Sequence, residues 1–123
     1  MYYKETYKGY SPWGGIQHSY IIGKGLKLVM TAGHGGYMAT KSFADKYLSD
    51  ACKKRALKYQ GYLCFEEDCD YAIISYDLLN TKYADKMKGE KTSKEEYEKN
   101  LLKSLSSWNP DYLIEKGIKP LEV

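Results

Sequence analysis

Arginine is nearly missing from this chain of 123 residues: Arg55 is the only one, although lysine and arginine together number 19. Proteins that read base sequence lean on the planar guanidinium fork, so this scarcity argues against sequence-specific nucleic-acid recognition. A dominant charge is also lacking. The balance of +3 does not demand an anionic partner and has the wrong sign for an acidic mimic of DNA. No apolar run approaches the roughly 18 residues of a membrane helix, and Met1 opens no charged-then-apolar leader. Cysteine is sparse and odd in number (Cys52, Cys64, Cys69), which excludes a disulfide framework and predicts a reducing, cytoplasmic setting. With only two histidines, His18 and His34, no zinc-ligand spacing is formed. The missing long apolar run also argues against a membrane as a partner.

Tyrosine, by contrast, is abundant: 14 residues against two Trp and two Phe. A tyrosine ring buries while its hydroxyl stays wet, which suits a binding surface. A lysine-for-arginine and tyrosine-rich composition is equally what codon bias in an AT-rich genome produces. The 43% hydrophobic and 28% charged fractions are those of a globular protein, and the length suits a single domain over residues 1–123.

Along the chain, residues 2–10 alternate aromatic and polar and read as an edge strand or an arm. Tyr2, Tyr3, Tyr7 and Tyr10, interleaved with Lys4 and Lys8, would stack on bases or dock on a protein. Ser11-Pro12-Trp13-Gly14-Gly15 is a turn. Residues 16–31 predict a hairpin closed by Gly23-Lys24-Gly25, with Ile16, His18, Tyr20 and Ile22 on one face. A short strand follows at residues 37–40, then a helix from an N-cap at Ser42 to about Lys58 with Asp45 in its first turn. Residues 62–65 predict another strand. A helix is expected from Cys69 to Leu79, capped by Asp68. Residues 80–91 read as a solvated linker or helix end. Thr92-Ser93 with Glu95 and Glu96 forms a capping box for a helix to about Ser107, and Asn109-Pro110 caps a last short one ending at Gly117. The fold class is α+β: a small antiparallel sheet packed with three or four helices.

Two stretches carry chemical potential. Thr31-Ala32-Gly33-His34-Gly35-Gly36 sets a titratable ring in a glycine turn free of neighbouring bulk, and its backbone could present N–H groups to an anion. It is neither a phosphate-binding loop nor a dinucleotide fingerprint. Glu66-Glu67-Asp68-Cys69-Asp70 packs four carboxylates into five positions. Such a run can perform general acid–base work, bind Mg²⁺ or Ca²⁺, or simply cap a helix and face water. Carboxylates around Cys69 should raise its pKa, the wrong direction for a nucleophile. Cys64 and Cys69 read instead as small hydrophobes.

Four motifs stand in a recognisable order: Ser11-Pro12-Trp13-Gly14, the glycine–histidine turn, Glu66-Glu67-Asp68-Cys69-Asp70-Tyr71, and Trp108-Asn109-Pro110-Asp111-Tyr112. Together they resemble a family of small, uncharacterised bacterial, plasmid and phage domains with SPWG, S/TxGHGG, EEDCDW-type and WxPDxY-type motifs. This chain carries Tyr71 where that pattern has tryptophan, and its lysine-rich stretch after residue 80 is long for it. The resemblance implies no activity; it implies a mobile-element setting, in which compact proteins counter host defence.

The leading expectation is therefore a non-catalytic inhibitor of a host defence component, of anti-CRISPR or anti-restriction type. Its partner would be a CRISPR effector or another basic, nucleic-acid-binding defence protein rather than nucleic acid itself. Glu66, Glu67, Asp68 and Asp70, with Tyr37 and Tyr71, form the expected partner surface, and no cofactor is called for. The rival expectation is a small hydrolase or nuclease in which His34 acts with Glu66, Glu67, Asp68 or Asp70, either with a divalent metal as its cofactor or by histidine–carboxylate chemistry alone. A weaker third is a nucleic-acid binder using lysine and tyrosine. The rival requires the histidine turn and the acidic run to meet in space.

Overall fold

The computed structural model describes residues 9–122 in full and residues 3–5 as backbone. Its centre is a six-stranded antiparallel sheet whose spatial order is β1-β4-β5-β6-β8-β7, built from Tyr3–Glu5 (β1), His18–Gly23 (β4), Leu26–Met30 (β5), Gly35–Thr40 (β6), Leu57–Tyr59 (β7) and Tyr62–Glu66 (β8). A two-stranded ribbon, Tyr10–Ser11 (β2) and Gly14–Gly15 (β3), stands beside it. Among the described residues there are six helical segments: Lys41–Tyr47 (α1), Asp50–Lys53 (α2), Tyr71–Asp77 (α3), Ala84–Lys88 (α4), Lys94–Trp108 (α5) and Pro110–Glu115 (α6). This is the α+β class expected from the pattern.

Strand alternation sorts the side chains into two clusters. Ile22, Leu26, Tyr37, Ala39, Leu63 and Phe65 face the helices and join Phe43, Leu48, Cys52, Ile73, Ile74, Leu78, Leu101, Leu105, Tyr112 and Leu113 in the main core. Val29, Met38 and Cys64 point the other way, where Ile16, Trp13, Tyr59 and Tyr62 cover them. The period of two places Tyr37 and Ala39 on one face and Met38 on the other, so neither face of β6 meets water. Ile16 was expected to share a face with Tyr20 and Ile22. It lies instead before β4, its N–H donating to Gly9 O at 2.8 Å, and it packs in the second cluster. Of the edge strand or arm expected at residues 2–10, Tyr3–Glu5 form β1 at one edge of the sheet; Tyr2, Tyr7 and Lys8 lie outside the described residues.

The single helix expected over residues 42–58 is broken. Thr40, not Ser42, caps α1 by accepting from Phe43 N at 3.1 Å, and Asp45 lies beyond the first turn. Leu48 and Ser49 are extended, Ser49 caps α2 through Cys52 N at 3.2 Å, and the chain re-enters the sheet as β7. The break follows from a distant partner. Asp77 accepts from both the N–H and the hydroxyl of Ser49 at 2.7 Å each, which holds Ser49 out of helical geometry.

Residues 80–91 are not merely a solvated linker: they contain α4, which buries Tyr83, Ala84 and Met87. Helix α5 starts as the capping pattern predicts, with Ser93 Oγ accepting from Glu96 N at 3.1 Å, and its Leu101 and Leu105 enter the core. Among the described residues, no helix is long and apolar enough to cross a membrane.

Candidate functional site

Antiparallel pairing of β6 with β8 brings the two chemically suggestive stretches together. Gly36 is paired with Glu66, and Glu67 N donates to Gly35 O at 2.9 Å, so the acidic run begins where the glycine–histidine turn ends. The turn is held by its first residue. Thr31 donates to His34 O through its N–H at 2.7 Å and its hydroxyl at 2.6 Å, while the same hydroxyl accepts from His34 N at 3.1 Å. The main chain of His34 is thus fixed and its ring projects outward, with 56% of the side chain exposed.

Two of these glycines, Gly35 and Gly36, serve packing. A methyl group on Gly35 would lie 2.5 Å from Val29 O, and one on Gly36 would run into Phe65 O and approach Trp13 Cη2 at 2.8 Å. Trp13, presented by the β2–β3 ribbon, therefore lies directly over Gly36. Gly33 has nothing within 4 Å of such a methyl, so no contact accounts for a glycine there. The ribbon's own turn is tied by Ser11 Oγ, which donates to Gly14 O at 2.9 Å and accepts from Trp13 N at 3.1 Å.

His34 Nδ1 lies 3.9 Å from Glu66 Oε1 and 4.0 Å from Asp68 Oδ2, so the ring faces two carboxylates at ion-pair range. The three side chains can offer one ligand atom each within 4.8 Å of one another. Neither Glu67 nor Asp70 belongs to this group. Residues 67–70 form turns ahead of α3, and no side chain caps that helix, so the expected role of Asp68 as its cap is not observed. Burial raises the pKa of Asp70, with the Cys69 thiol opposing as a hydrogen-bond donor. Burial is also the largest cause raising Cys69, followed by the charges of Asp70 and Glu66, the direction expected from its neighbours. Cys64, in the core, is pushed up to about 12 by burial.

Two expected partner residues fare differently. Tyr37 is only 6% exposed and packs in the main core, because strand parity points it at the helices; it is not part of an outer surface. Tyr71 is half-buried against the same core. The last motif is tied to the acidic run by one hydrogen bond. Asn109 Nδ2 donates to Cys69 O at 3.1 Å instead of capping α6, so α6 starts without a side-chain cap. Trp108 beside it is exposed.

Sequence reasoning missed a cleft of about 640 Å³ beside the β7–β8 hairpin, lined by Lys41, Lys53, Lys58, Tyr59 and Tyr62 among others. It lies at the Tyr62 end of β8, the opposite end from Glu66. Its wall comes from α1, α2 and the hairpin, and no local pattern links residues so far apart.

A family model described as a domain of unknown function, DUF7007, matches residues 6–119, and the chain belongs to that family. Comparison with curated proteins and with solved structures found no match.

Proposed function

We propose that this protein acts by binding, as a small non-catalytic inhibitor that a phage or other mobile element directs at a host defence component in the host cytoplasm. The observation that carries this reading is the gathering of Glu66, the last residue of β8, with Glu67, Asp68 and Asp70 in the turn that follows it, on a chain whose overall balance is positive. Three clefts among the described residues are lined neither by these carboxylates nor by His34. An acidic turn with Asp68 exposed and the other three carboxylate residues half-buried, outside those clefts, suits a flat, basic partner better than an enclosed substrate. The partner class is a basic nucleic-acid-binding protein such as a CRISPR effector. The motif resemblance to phage and plasmid domains supports the setting. The test is complex formation with purified defence nucleases, with inhibition of cleavage as a second readout. Weakening by salt, and by joint neutralisation of the four carboxylates, is expected; no complex with any such nuclease, or one indifferent to neutralisation, defeats the reading.

One observation favours a second reading, a small hydrolase or nuclease: His34 stands within 4.0 Å of two carboxylates, close enough for a general base and its orienting partner to close on a substrate. Hydrolysis of nucleic-acid or ester substrates that His34→Ala abolishes would favour it over inhibition.

A further inference from the structure

We propose that His34, Glu66 and Asp68 form a binding site for one divalent transition-metal cation, of the Mn²⁺ or Zn²⁺ class. The inference goes beyond the inhibitor reading and does not depend on it.

The spacing is the first argument. Donors sharing a cation at bond lengths of about 2.0–2.2 Å stand about 3–4 Å apart, depending on the angle at the metal. His34 Nδ1 lies 3.9 Å from Glu66 Oε1 and 4.0 Å from Asp68 Oδ2, and all three donor atoms fall within 4.8 Å of one another. These distances are too long for hydrogen bonds and require only a small side-chain rotation to close on an ion. All three side chains are partly or largely exposed, so that rotation is unobstructed by core packing.

The second argument is what fails to neutralise the carboxylates. Among the described residues, the lysines and the arginine that form ion pairs do so with Asp45, Asp50, Asp77 and Glu115, and none reaches Glu66 or Asp68. His34, Glu66 and Asp68 make no side-chain hydrogen bond there either. Glu67 and Asp70 add two more acidic side chains within the same five positions, and the one imidazole faces only Glu66 and Asp68. Such a group gains from a cation bound in direct contact, where charge attraction is strongest.

The third argument is preorganisation. Two of the three ligands rise from backbone held by hydrogen bonds: His34, in the turn that precedes β6, is locked by Thr31, and Glu66, at the end of β8, pairs with Gly36. Asp68 follows two residues later. A binding cation therefore orders side chains on a backbone already in place. The donor set selects the ion. One imidazole with two carboxylates suits Mn²⁺, Fe²⁺ or Zn²⁺, whereas Ca²⁺ and Mg²⁺ favour all-oxygen shells. Three protein donors leave positions open for water or for a donor from a partner.

The test uses the full chain, freed of metal with a chelator and titrated calorimetrically with Mn²⁺ and Zn²⁺, with Mg²⁺ for comparison. One cation per chain is expected, with Mg²⁺ weaker. His34→Ala, Glu66→Gln and Asp68→Asn should each lower affinity by at least about tenfold, the loss that removing even an outer-sphere partner of a metal ligand brings. His18→Ala, the other histidine, and Cys69→Ser should bind as the parent does. Thermal unfolding without metal should be alike for all five variants, showing that each is folded. Absence of binding at millimolar metal overturns the proposal. So does binding that survives His34→Ala, or that vanishes in Cys69→Ser, which would mark a thiolate site. The inhibitor reading is tested separately, by complex formation in chelator, and survives either result.

Discussion

Gly36→Ala probes the point at which β6, β8 and Trp13 converge, and its cost follows from what the added methyl would meet. That methyl would overlap Phe65 O, lie 2.8 Å from Trp13 Cη2 and 3.0 Å from Glu66 Cα. Two of these three obstacles are backbone of β8 and cannot rotate aside. Inserting a methyl into a packed site costs about 1–3 kcal/mol when side chains can adjust, so the upper end applies here. Relief requires the strands to part near the bond from Glu67 N to Gly35 O, adding about 1 kcal/mol for a weakened hydrogen bond. A loss of about 3–4 kcal/mol is expected, a large share of the roughly 5–15 kcal/mol that holds an ordinary domain together. For a domain of this size it corresponds to a fall in Tm of about 10–20 °C. Urea and thermal unfolding followed by circular dichroism measure it. Gly33→Ala is the matched control, having open space and no unusual dihedral, and should change stability by less than about 0.5 kcal/mol. The reasoning is refuted if Gly36→Ala unfolds with the parent, or if Gly33→Ala loses as much.

Two other outcomes follow from buried groups. Asp77, whose side chain is 2% exposed, accepts from Ser49 N, Ser49 Oγ and Tyr112 Oη at 2.7 Å each and faces Lys116 Nζ at 3.3 Å. Asp77→Ala should cost about 3–5 kcal/mol by leaving these donors unpaired, whereas Tyr112→Phe removes one hydrogen bond and should cost about 1 kcal/mol; equal small losses in urea would show the carboxylate to be no hub. The thiols should divide by reactivity. Burial raises the pKa of Cys52 and takes that of Cys64 up to about 12, so both stay protonated and enclosed near neutral pH. Native protein should show one slowly titrating thiol towards a disulfide reagent, accelerating as pH rises and lost in Cys69→Ser, while unfolded protein shows three. Rapid native labelling of Cys64 would contradict this.

Local signals were sound where the deciding interaction was local. The Ser93 cap, the Gly23–Gly25 hairpin closure and the Ser11–Gly15 turn are all specified within a few residues, and each formed where the pattern placed it. Errors arose where a partner lay far along the chain. Ser42 looked like a cap for a long helix because nothing nearby announces that Asp77, 28 positions beyond Ser49, will hold that serine extended. Residues 80–91 looked solvated because their lysines outnumber Tyr83, Ala84 and Met87, the three that reach the core. Tyr37 looked like a surface ring because tyrosine suits either environment, and only its parity on β6 buries it.

The candidate site shows the same division. Residue types alone determined that a histidine in a glycine turn and a run of four carboxylates were the chemically potent parts, since both stand out at any conformation. They also determined that the cysteine beside the carboxylates would be a poor nucleophile. Whether the histidine and the acidic run meet was a question of strand order, and only the tertiary structure decided it. After α1 and α2, the β7–β8 hairpin returns so that β8, not β7, pairs with β6, bringing Glu66 opposite Gly36 and Asp68 to His34. Pairing of that kind depends on the packing of Leu63 and Phe65 under the helices, a sum over distant side chains that no local stretch encodes.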